Sequence, residues 1–336
     1  MKPIFIIAEA GVNHNGSLDL ALQLIEAAKE SGADAVKFQT FKADSLATAS
    51  AHKAAYQERT TGKAESQFEM LKRLELGIEA HRKLIEHCQR IGIQFLSSPF
   101  DIESADLLET MELPLYKIPS GEITNVPYVR HIAGKGKPVI LSTGMCTLGE
   151  VEEAIKILRD SGAADITLLH CVTEYPAPFN EINLRAMQTM RMAFGLPVGY
   201  SDHTPGIEIS IAAAALGAVV IEKHFTLDRD LPGPDHAASL EPTELRQLVN
   251  AIRHVEAALG SGIKTPAKCE IPNMSVARKS VVAARTLNAG HKLQSDDLAI
   301  KRPGNGITPG QLGDLVGRTL GSDVQKDELL RWDHLS

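Results

Sequence analysis

Aromatic residues are scarce in this chain: Phe, Trp and Tyr together make up 4% of 336 residues, with a single Trp. Positive charge is not in excess either, because 35 Lys and Arg stand against 42 Asp and Glu, with the two signs mixed along the chain. A nucleic-acid binder would show a basic stripe with stacking aromatics, so that class is set aside. No apolar run approaches the roughly 18 residues of a membrane-spanning helix. The amino terminus, Lys2 followed by a short apolar run and then Glu9, has neither the long apolar stretch nor the small-residue cleavage site of a secretory leader. Cys88, Cys146, Cys171 and Cys269 lie far apart and form no CxxC pair, which fits reduced thiols better than a disulfide framework. What is present is an apolar fraction of 43%, enough for a sizeable core. The expectation is a cytoplasmic enzyme that binds neither nucleic acid nor membrane.

One rhythm then repeats. Short β-branched or apolar runs at 4–8, 35–39, 93–96, 115–118, 138–141, 166–170, 197–200 and 218–221 alternate with amphipathic stretches such as 18–31, 78–91, 150–161 and 206–216. Strand–helix alternation of this kind implies parallel pairing through crossovers. Eight units close most naturally into a (β/α)8 TIM barrel, which takes about 250 residues. An open doubly wound sheet is the competing arrangement, but no GxGxxG turn follows the first run. A further helix is expected at 242–259. The stretch 260–275 carries Gly, Ser, Thr and Pro without periodicity and reads as a linker. The division is therefore residues 1–260 for the barrel, 261–276 for the linker and 277–336 for a small second domain. About 60 residues is near the lower limit for independent folding, so that tail is expected to pack on something. A polar insertion at 42–65 has the length of a lid or binding loop.

In such a barrel the chemistry sits where strands end, and nearly every run here ends in polar side chains. Glu9, Asn13 and His14 follow the first run, Lys37 and Gln39 belong to the second, and Ser97 and Ser98 to the third. The fourth supplies Lys117, Ser120 and Glu122, the fifth Thr143, and the sixth His170, Thr173 and Tyr175. The seventh gives Ser201, Asp202 and His203, the eighth His224, and the loop beyond it Arg229, Asp235 and His236. Alternation along a strand puts Lys37 with Gln39, Ser201 with His203, and Glu222 with His224, while Lys223 faces the helices. His203 and His224, on neighbouring strands, bring two imidazoles together. With a carboxylate such as Glu9 they form a divalent-metal site with open positions. Lys37 and Lys117, with the hydroxyls of Ser98, Ser120 and Ser201, supply charge and directional donors for a phosphate or carboxylate. A Schiff-base lysine is the rival reading, and the spacing leaves both open. Lys223 is expected to snorkel to solvent. His81, His87, His131 and His254, on helical patterns, are expected at the surface or an interface.

Nine strings carry a resemblance. AEAGVNHNG (8–16), VKFQT (36–40), LSSPF (96–100), YKIPSGE (116–122), LSTGM (141–145), YSDHT (200–204), EKHFT (222–226), GPDH (233–236) and KRPGNG (301–306) resemble, in this order, the sialic acid (N-acetylneuraminate) synthase family, which includes legionaminate and pseudaminate synthases. The resemblance implies a TIM barrel followed by an antifreeze-like (SAF) domain. It implies condensation of phosphoenolpyruvate with an open-chain N-acetylhexosamine, N-acetylmannosamine for a sialic acid synthase, and release of phosphate. A 2,4-diacetamido-2,4,6-trideoxyhexose is the acceptor in the legionaminate or pseudaminate alternative. The segment 51–76, with Tyr56, Gln57 and Gln67, resembles bacterial members of both the sialate and the legionaminate kind. By the same resemblance His203 and His224 bind a divalent ion, manganese or magnesium. Lys37, Ser98, Lys117, Ser120 and Ser201 hold phosphoenolpyruvate, while Gln39, Glu122, Thr173, Tyr175 and Asp235 face the sugar with Glu9 nearby. Glu122, Lys117 and Glu9 are the catalytic candidates, Glu122 for the attacking water. Arg302 reaches the site of a partner subunit in a domain-swapped homodimer. Thr173 stands where some members have Asn, and Ser98 where some have Thr.

Overall fold

The computed structural model describes residues 2–62 and 64–336. The apolar runs form eight strands: β1 (Phe5–Gly11), β2 (Ala35–Thr40), β3 (Gln94–Pro99), β4 (Tyr116–Ile118), β5 (Val139–Ser142), β6 (Ile166–His170), β7 (Val198–Asp202) and β8 (Val220–His224). In chain order the helices between them are α1 (Leu18–Glu30), α2 (Ala43–Leu46), α3 (Ala55–Thr61), α4 (Gln67–Leu74), α5 (Ile78–Ile91), α6 (Ile102–Thr110), α7 (Val126–Ala133), α8 (Leu148–Asp160), α9 (Arg185–Phe194) and α10 (Glu208–Ala215), and α11 (Pro242–Leu259) follows β8. All described ladders among these strands are parallel, in the order β3-β2-β1-β8-β7-β6-β5-β4. β3 and β4 pack side by side at the seam. This is a (β/α)8 barrel of the TIM kind.

Local chemistry explains where the helices run. Helix α5 buries His81, Leu84, His87 and Cys88, a stripe of period three to four. It stops at Gly92, whose φ of 73° takes the left-handed cap that a side chain resists. Helix α8 opens on a capping box in which Thr147 and Glu150 satisfy each other's backbone N–H groups.

Alternation along the strands sorts the barrel interior into two layers. Ile7, Ala35, Leu96, Ile140, Leu169 and Val220 form an apolar plug. Gly199 faces it: a Cβ there would lie 2.4 Å from the Val220 carbonyl oxygen. One step nearer the carboxyl ends come Glu9, Lys37, Ser98, Lys117, Ser201 and Glu222, all buried.

Four expectations change. His81 and His87 are buried rather than superficial; His81 shares a hydrogen bond with Thr40 Oγ1 at 2.8 Å and another with the Gly77 carbonyl at 3.0 Å, so a polar residue occupies the buried stripe because its partners are internal. His131, half-buried, pairs with Asp106 at 2.6 Å, and His254 is exposed. Lys223 does not snorkel: it is 1% exposed and held 3.0 Å from Asp202 Oδ2, an ion pair behind the sheet. The insertion is not a plain loop but contains α2 and α3 and leads into α4, which starts on a capping box of Ser66 and Glu69. The stretch read as linker ends in a short helix, α12 (Ile271–Ala277).

The chain divides into two compact units, Met1–Gly260 and Ser261–Ser336. The second contains β9 (Ser280–Ala283) and β10 (Leu298–Lys301), paired antiparallel, and the short α13 (Leu312–Leu315). It has its own core of Val281, Leu287, Leu293, Leu315, Leu320, Val324 and Leu330. Its one fully buried carboxylate among the described residues, Asp297, accepts hydrogen bonds from Arg285 Nε at 2.8 Å, His291 Nε2 at 2.7 Å and the Gln294 amide at 2.9 Å. Among the described residues no helix is long and apolar enough to cross a membrane.

Burial alone would raise the Asp297 carboxyl, but the donors from His291, Gln294 and Arg285 hold it down at about 2. Its stabilising effect is therefore complete above the ordinary carboxylate value and lost as pH falls from about 4 to about 2. Asp297→Asn is expected to lower the melting temperature of the second unit at pH 7, with the difference from wild type closing as the scan is repeated down to pH 2. A difference that stays constant with pH would contradict this account.

Candidate active site at the carboxyl ends of the strands

Strand register assembles the site. In the β1 ladders Glu9 lies opposite Lys37 of β2 on one side and His224 of β8 on the other. Gln39 lies opposite Ser98, and Ser201 opposite Glu222. The result is a cavity of about 350 Å³. Its lining includes Glu9, Lys37, Gln39, Ser98, Lys117, Ser120, Glu122, Thr173, Tyr175, Ser201, His203, His224 and Asp235, every barrel residue to which the family resemblance gives a catalytic, substrate or metal role. Arg302 lies in the second unit, exposed, with its Nε donating to the Ala277 carbonyl at 3.0 Å.

Other polar residues at or just beyond the strand ends are engaged elsewhere, Asp202 because alternation turns it to the helix side. Asp202 holds Lys223, Thr204 and Ser210 behind the sheet, and Thr143 Oγ1 donates to the Leu169 carbonyl. Asn13 Nδ2 reaches the Phe225 carbonyl and Ser239 Oγ, both at 2.9 Å, so it braces the loop after β8. His236 meets Thr226 Oγ1 in that same loop.

The floor is a buried charge network. Lys37 Nζ lies 2.5 Å from Glu9 Oε2, 3.7 Å from Glu222 Oε2 and 3.1 Å from Ser98 Oγ. Lys117 Nζ donates to Glu222 Oε1 at 3.2 Å, and Ser201 Oγ donates to the same oxygen at 2.8 Å. Burial alone would neutralise these groups. Burial pulls Lys37 downward, but Glu222 and Glu9 overcome it and hold the lysine above its ordinary value. Burial pushes Glu222 up, and Lys117 and Lys37 more than reverse that. Asp235, buried and near Glu9, is pushed up to about 7. Glu122, half-buried at the mouth, is raised by burial while accepting from Asn125 Nδ2 at 2.7 Å.

Beside the floor stand two imidazoles with ring centroids 5.4 Å apart, and the Tyr175 ring lies 4.2 Å from His203 and 5.4 Å from His224. Burial brings His203 down to about 4 and His224 well below its ordinary value, so both rings are neutral at pH 7. His203 Nδ1 bonds the Val172 carbonyl at 2.6 Å, which places its proton there and leaves Nε2 with a lone pair, 3.4 Å from Ser201 Oγ. His224 Nδ1 is buried without a hydrogen-bond partner, 3.9 Å from Asp235 Oδ2. Among the described residues no cluster of three or more His, Cys, Asp or Glu side chains is gathered as a complete metal cage. Glu9, expected as the carboxylate of such a site, instead faces Lys37 and accepts from Gln39 Nε2 at 3.1 Å. Asp235 is the carboxylate paired with a histidine. An orphaned imidazole nitrogen beside a second ring of fixed tautomer fits a divalent ion with open coordination positions.

Several lining residues lie outside the set that the sequence marks, and three groups of them shape the cavity. Glu222 is the hub of the floor, and its signal is present in the sequence, since it shares a strand face with His224. Cys171 touches Ser120 Oγ at 3.2 Å, and a Cβ on Gly144 would meet Thr173 Oγ1 at 2.3 Å and Ser120 Oγ at 2.9 Å, which is why a glycine stands there. The insertion contributes Leu46, Tyr56, Gln57, Gln67, Met70, Leu71 and Leu74 to the wall. It is anchored by Tyr56 against the Tyr175 ring at 4.9 Å, by Arg59 on Glu174 at 3.0 Å, and by Thr60 Oγ1 on the Pro234 carbonyl at 3.3 Å. These contacts join residues far apart in sequence, and only the fold reveals them.

Lys37→Met is expected to leave Glu9 facing Glu222 with no cation between them. Breaking a buried pair this way costs about 3–5 kcal/mol, to be read from urea denaturation at pH 7. A loss under about 1 kcal/mol would contradict the network.

The NeuB family profile matches residues 24–264, and that of the SAF domain residues 278–336. The chain is 54% identical over 333 residues to the N,N'-diacetyllegionaminic acid synthase of Campylobacter jejuni, covering 98% of this chain and 100% of that protein. Identity to the N,N'-diacetyllegionaminic acid synthase of Legionella pneumophila is 50%, covering 98% of this chain and 94% of the other. Among solved structures, the N-acetylneuraminic acid synthetase of Leptospira borgpetersenii, in complex with citrate, superposes with a TM-score of 0.72 at 37% identity, covering 81% of this chain and 90% of that one. The chain, with its eight-stranded barrel and its carboxyl-terminal SAF domain, belongs to the NeuB family.

Proposed function

We propose that the chain is a metal-dependent nonulosonic acid synthase of the N,N'-diacetyllegionaminate kind, condensing phosphoenolpyruvate with open-chain 2,4-diacetamido-2,4,6-trideoxymannose and releasing phosphate. The observation that carries the reaction class is the floor, where two buried ammoniums lie beside two neutral imidazoles in one cavity. Two supports favour this sugar over N-acetylmannosamine, the acceptor of a sialic acid synthase. Identity is 54% to the Campylobacter legionaminate enzyme and 37% to the Leptospira N-acetylneuraminate enzyme. The wall added by Leu46, Met70, Leu71 and Leu74 is apolar and suits a methyl group where N-acetylmannosamine has a hydroxymethyl.

In this reading Lys37, Ser98, Lys117 and Ser120 hold phosphoenolpyruvate in a pocket whose wall includes Ser201, with the Ser201 hydroxyl turned to Glu222, and Gln39, Thr173, Tyr175 and Asp235 orient the sugar. The methylene carbon forms the new bond to the aldehyde carbon, whose oxygen takes a proton. Water adds to the phosphate-bearing carbon and phosphate leaves, so phosphoenolpyruvate, sugar and water give the nonulosonic acid and phosphate. Glu122 orients that water and accepts its proton, a role for which a raised carboxyl near the cavity mouth is suited. Lys117 steadies the departing phosphate, and Glu9 keeps Lys37 charged. His203 and His224 would hold a manganese or magnesium ion, which supplies Lewis acidity at the aldehyde oxygen when bound. A Schiff base is not required, since the methylene carbon attacks the aldehyde directly and both lysines are engaged by carboxylates. Arg302 completes the site of a partner subunit in a domain-swapped homodimer.

Phosphate release from phosphoenolpyruvate with manganese is expected to be at least about 10-fold more efficient, in kcat/KM, with the trideoxy sugar than with N-acetylmannosamine. Chelation is expected to stop it and added manganese to restore it. Preference for N-acetylmannosamine would return the sialic acid reading, and release with neither sugar would sink the reaction class. Arg302→Ala and Lys117→Ala, each expected to be inactive alone, should recover about a quarter of wild-type activity when unfolded and refolded together, because a heterodimer then has one intact swapped site. Absence of recovery from refolded mixed dimers would count against the swap.

A further inference from the structure

Glu222 occupies the centre of the floor, and the reaction outlined above leaves it without a role. It is 4% exposed, stands opposite Ser201 in the β7–β8 ladder, and touches groups from three other strands. Its Oε1 accepts from Ser201 Oγ at 2.8 Å and Lys117 Nζ at 3.2 Å, while Oε2 lies 3.7 Å from Lys37 Nζ. Glu9, the other floor carboxylate, pairs with Lys37 alone among the lysines. A lysine side chain has four rotatable bonds and three N–H donors. Beside an open cavity, an unanchored ammonium would sample several positions, and ordering it on ligand arrival would cost affinity. Pairing with a fixed carboxylate through one N–H leaves the remaining donors of Lys117 free for an anion. The Ser201 hydroxyl has a single hydrogen and gives it to Glu222, so Ser201 acts here as a brace for the carboxylate rather than as a donor to the anion.

We infer that Glu222 is the positioning residue of the anion pocket, setting the separation of the Lys37 and Lys117 ammoniums so that phosphoenolpyruvate meets donors already in place. The inference rests on the proposed function. It opposes bare electrostatics, since deleting a negative charge beside an anion pocket should tighten anion binding if charge alone mattered.

Phosphoenolpyruvate binding to the full-length protein with manganese is measured by calorimetry for wild type, Glu222→Ala, Glu222→Gln and Glu222→Asp, with steady-state kinetics alongside. Glu222→Ala is expected to weaken binding about 10- to 100-fold, the size of a lost charge-assisted hydrogen bond. The KM for the sugar should stay within about threefold and kcat should fall by less than the affinity does. Glu222→Asp should recover part of the affinity. If Glu222→Ala fails to fold by circular dichroism, Glu222→Gln, of equal volume, decides by the same criteria. Unchanged or tighter binding, or a fall in kcat alone, overturns the inference. Absence of phosphoenolpyruvate binding by wild type overturns the proposed function together with it, whereas normal wild-type binding with undisturbed variants overturns this inference only.

Discussion

Two carboxylates and two ammoniums buried inside one barrel are the constraint on which the site depends. A lone charge in such a place costs several kcal/mol, and it persists only if an opposite charge meets it at good geometry. Glu222 meets that requirement through Lys117 and Lys37, and Lys37 is held by Glu9 and Glu222 together, while burial and the nearby Glu222 still raise the Glu9 carboxyl. The apolar layer of Ile7, Leu96, Ile140, Leu169 and Val220 below gives the network a dry floor, which strengthens every interaction above it. Register is what brings the partners together. Slipping β8 by one residue would turn Glu222 and His224 outward and bring Lys223 into the site.

The surrounding structure keeps that register. Behind the sheet, Asp202 accepts from Ser210 at 2.6 Å and pairs with Lys223 at 3.0 Å, tying β7 to β8 on the helix side. In front, Asn13 braces the loop after β8 that carries Asp235, and Tyr175 wedges against both histidines. The insertion then changes the character of the cavity. Strand ends make a charged floor, and α2 and α4 add an apolar wall above it. A small molecule with an anionic or oxygen-rich end and a methylated end matches that gradient, which is the physical argument behind the proposed deoxy sugar.

Much of this architecture is legible in the residues themselves. Helices at 78–91 and 242–259 form over the residues their patterns predict, because each has an apolar stripe and, for the second, a proline start. Strands β3, β7 and β8 run two or three residues beyond the apolar runs that announce them, to Pro99, Asp202 and His224. Apolar patterning ends where the core ends, whereas the hydrogen-bond ladder continues into the polar site. His81 and Lys223 depart from their patterns for a related reason. Polar residues on helical or outward-facing positions are normally solvated, and their burial depends on Thr40, Gly77, Asp202 and Thr204, which sequence distance hides.

Sequence by itself determined the eight-fold strand–helix rhythm, the alternation that points Lys37, Gln39, Ser201, His203 and His224 inward, and the second segment beyond residue 260. Each of these is local, since periods of two and 3.6 residues are set by backbone geometry. Tertiary structure decided which inward side chains meet. It made Glu222 the hub, faced Glu9 toward Lys37 instead of the histidines, left His224 Nδ1 without a partner, and laid Tyr56 against Tyr175. Those outcomes follow from ladder register and loop packing between residues far apart along the chain, where no local period can specify distance.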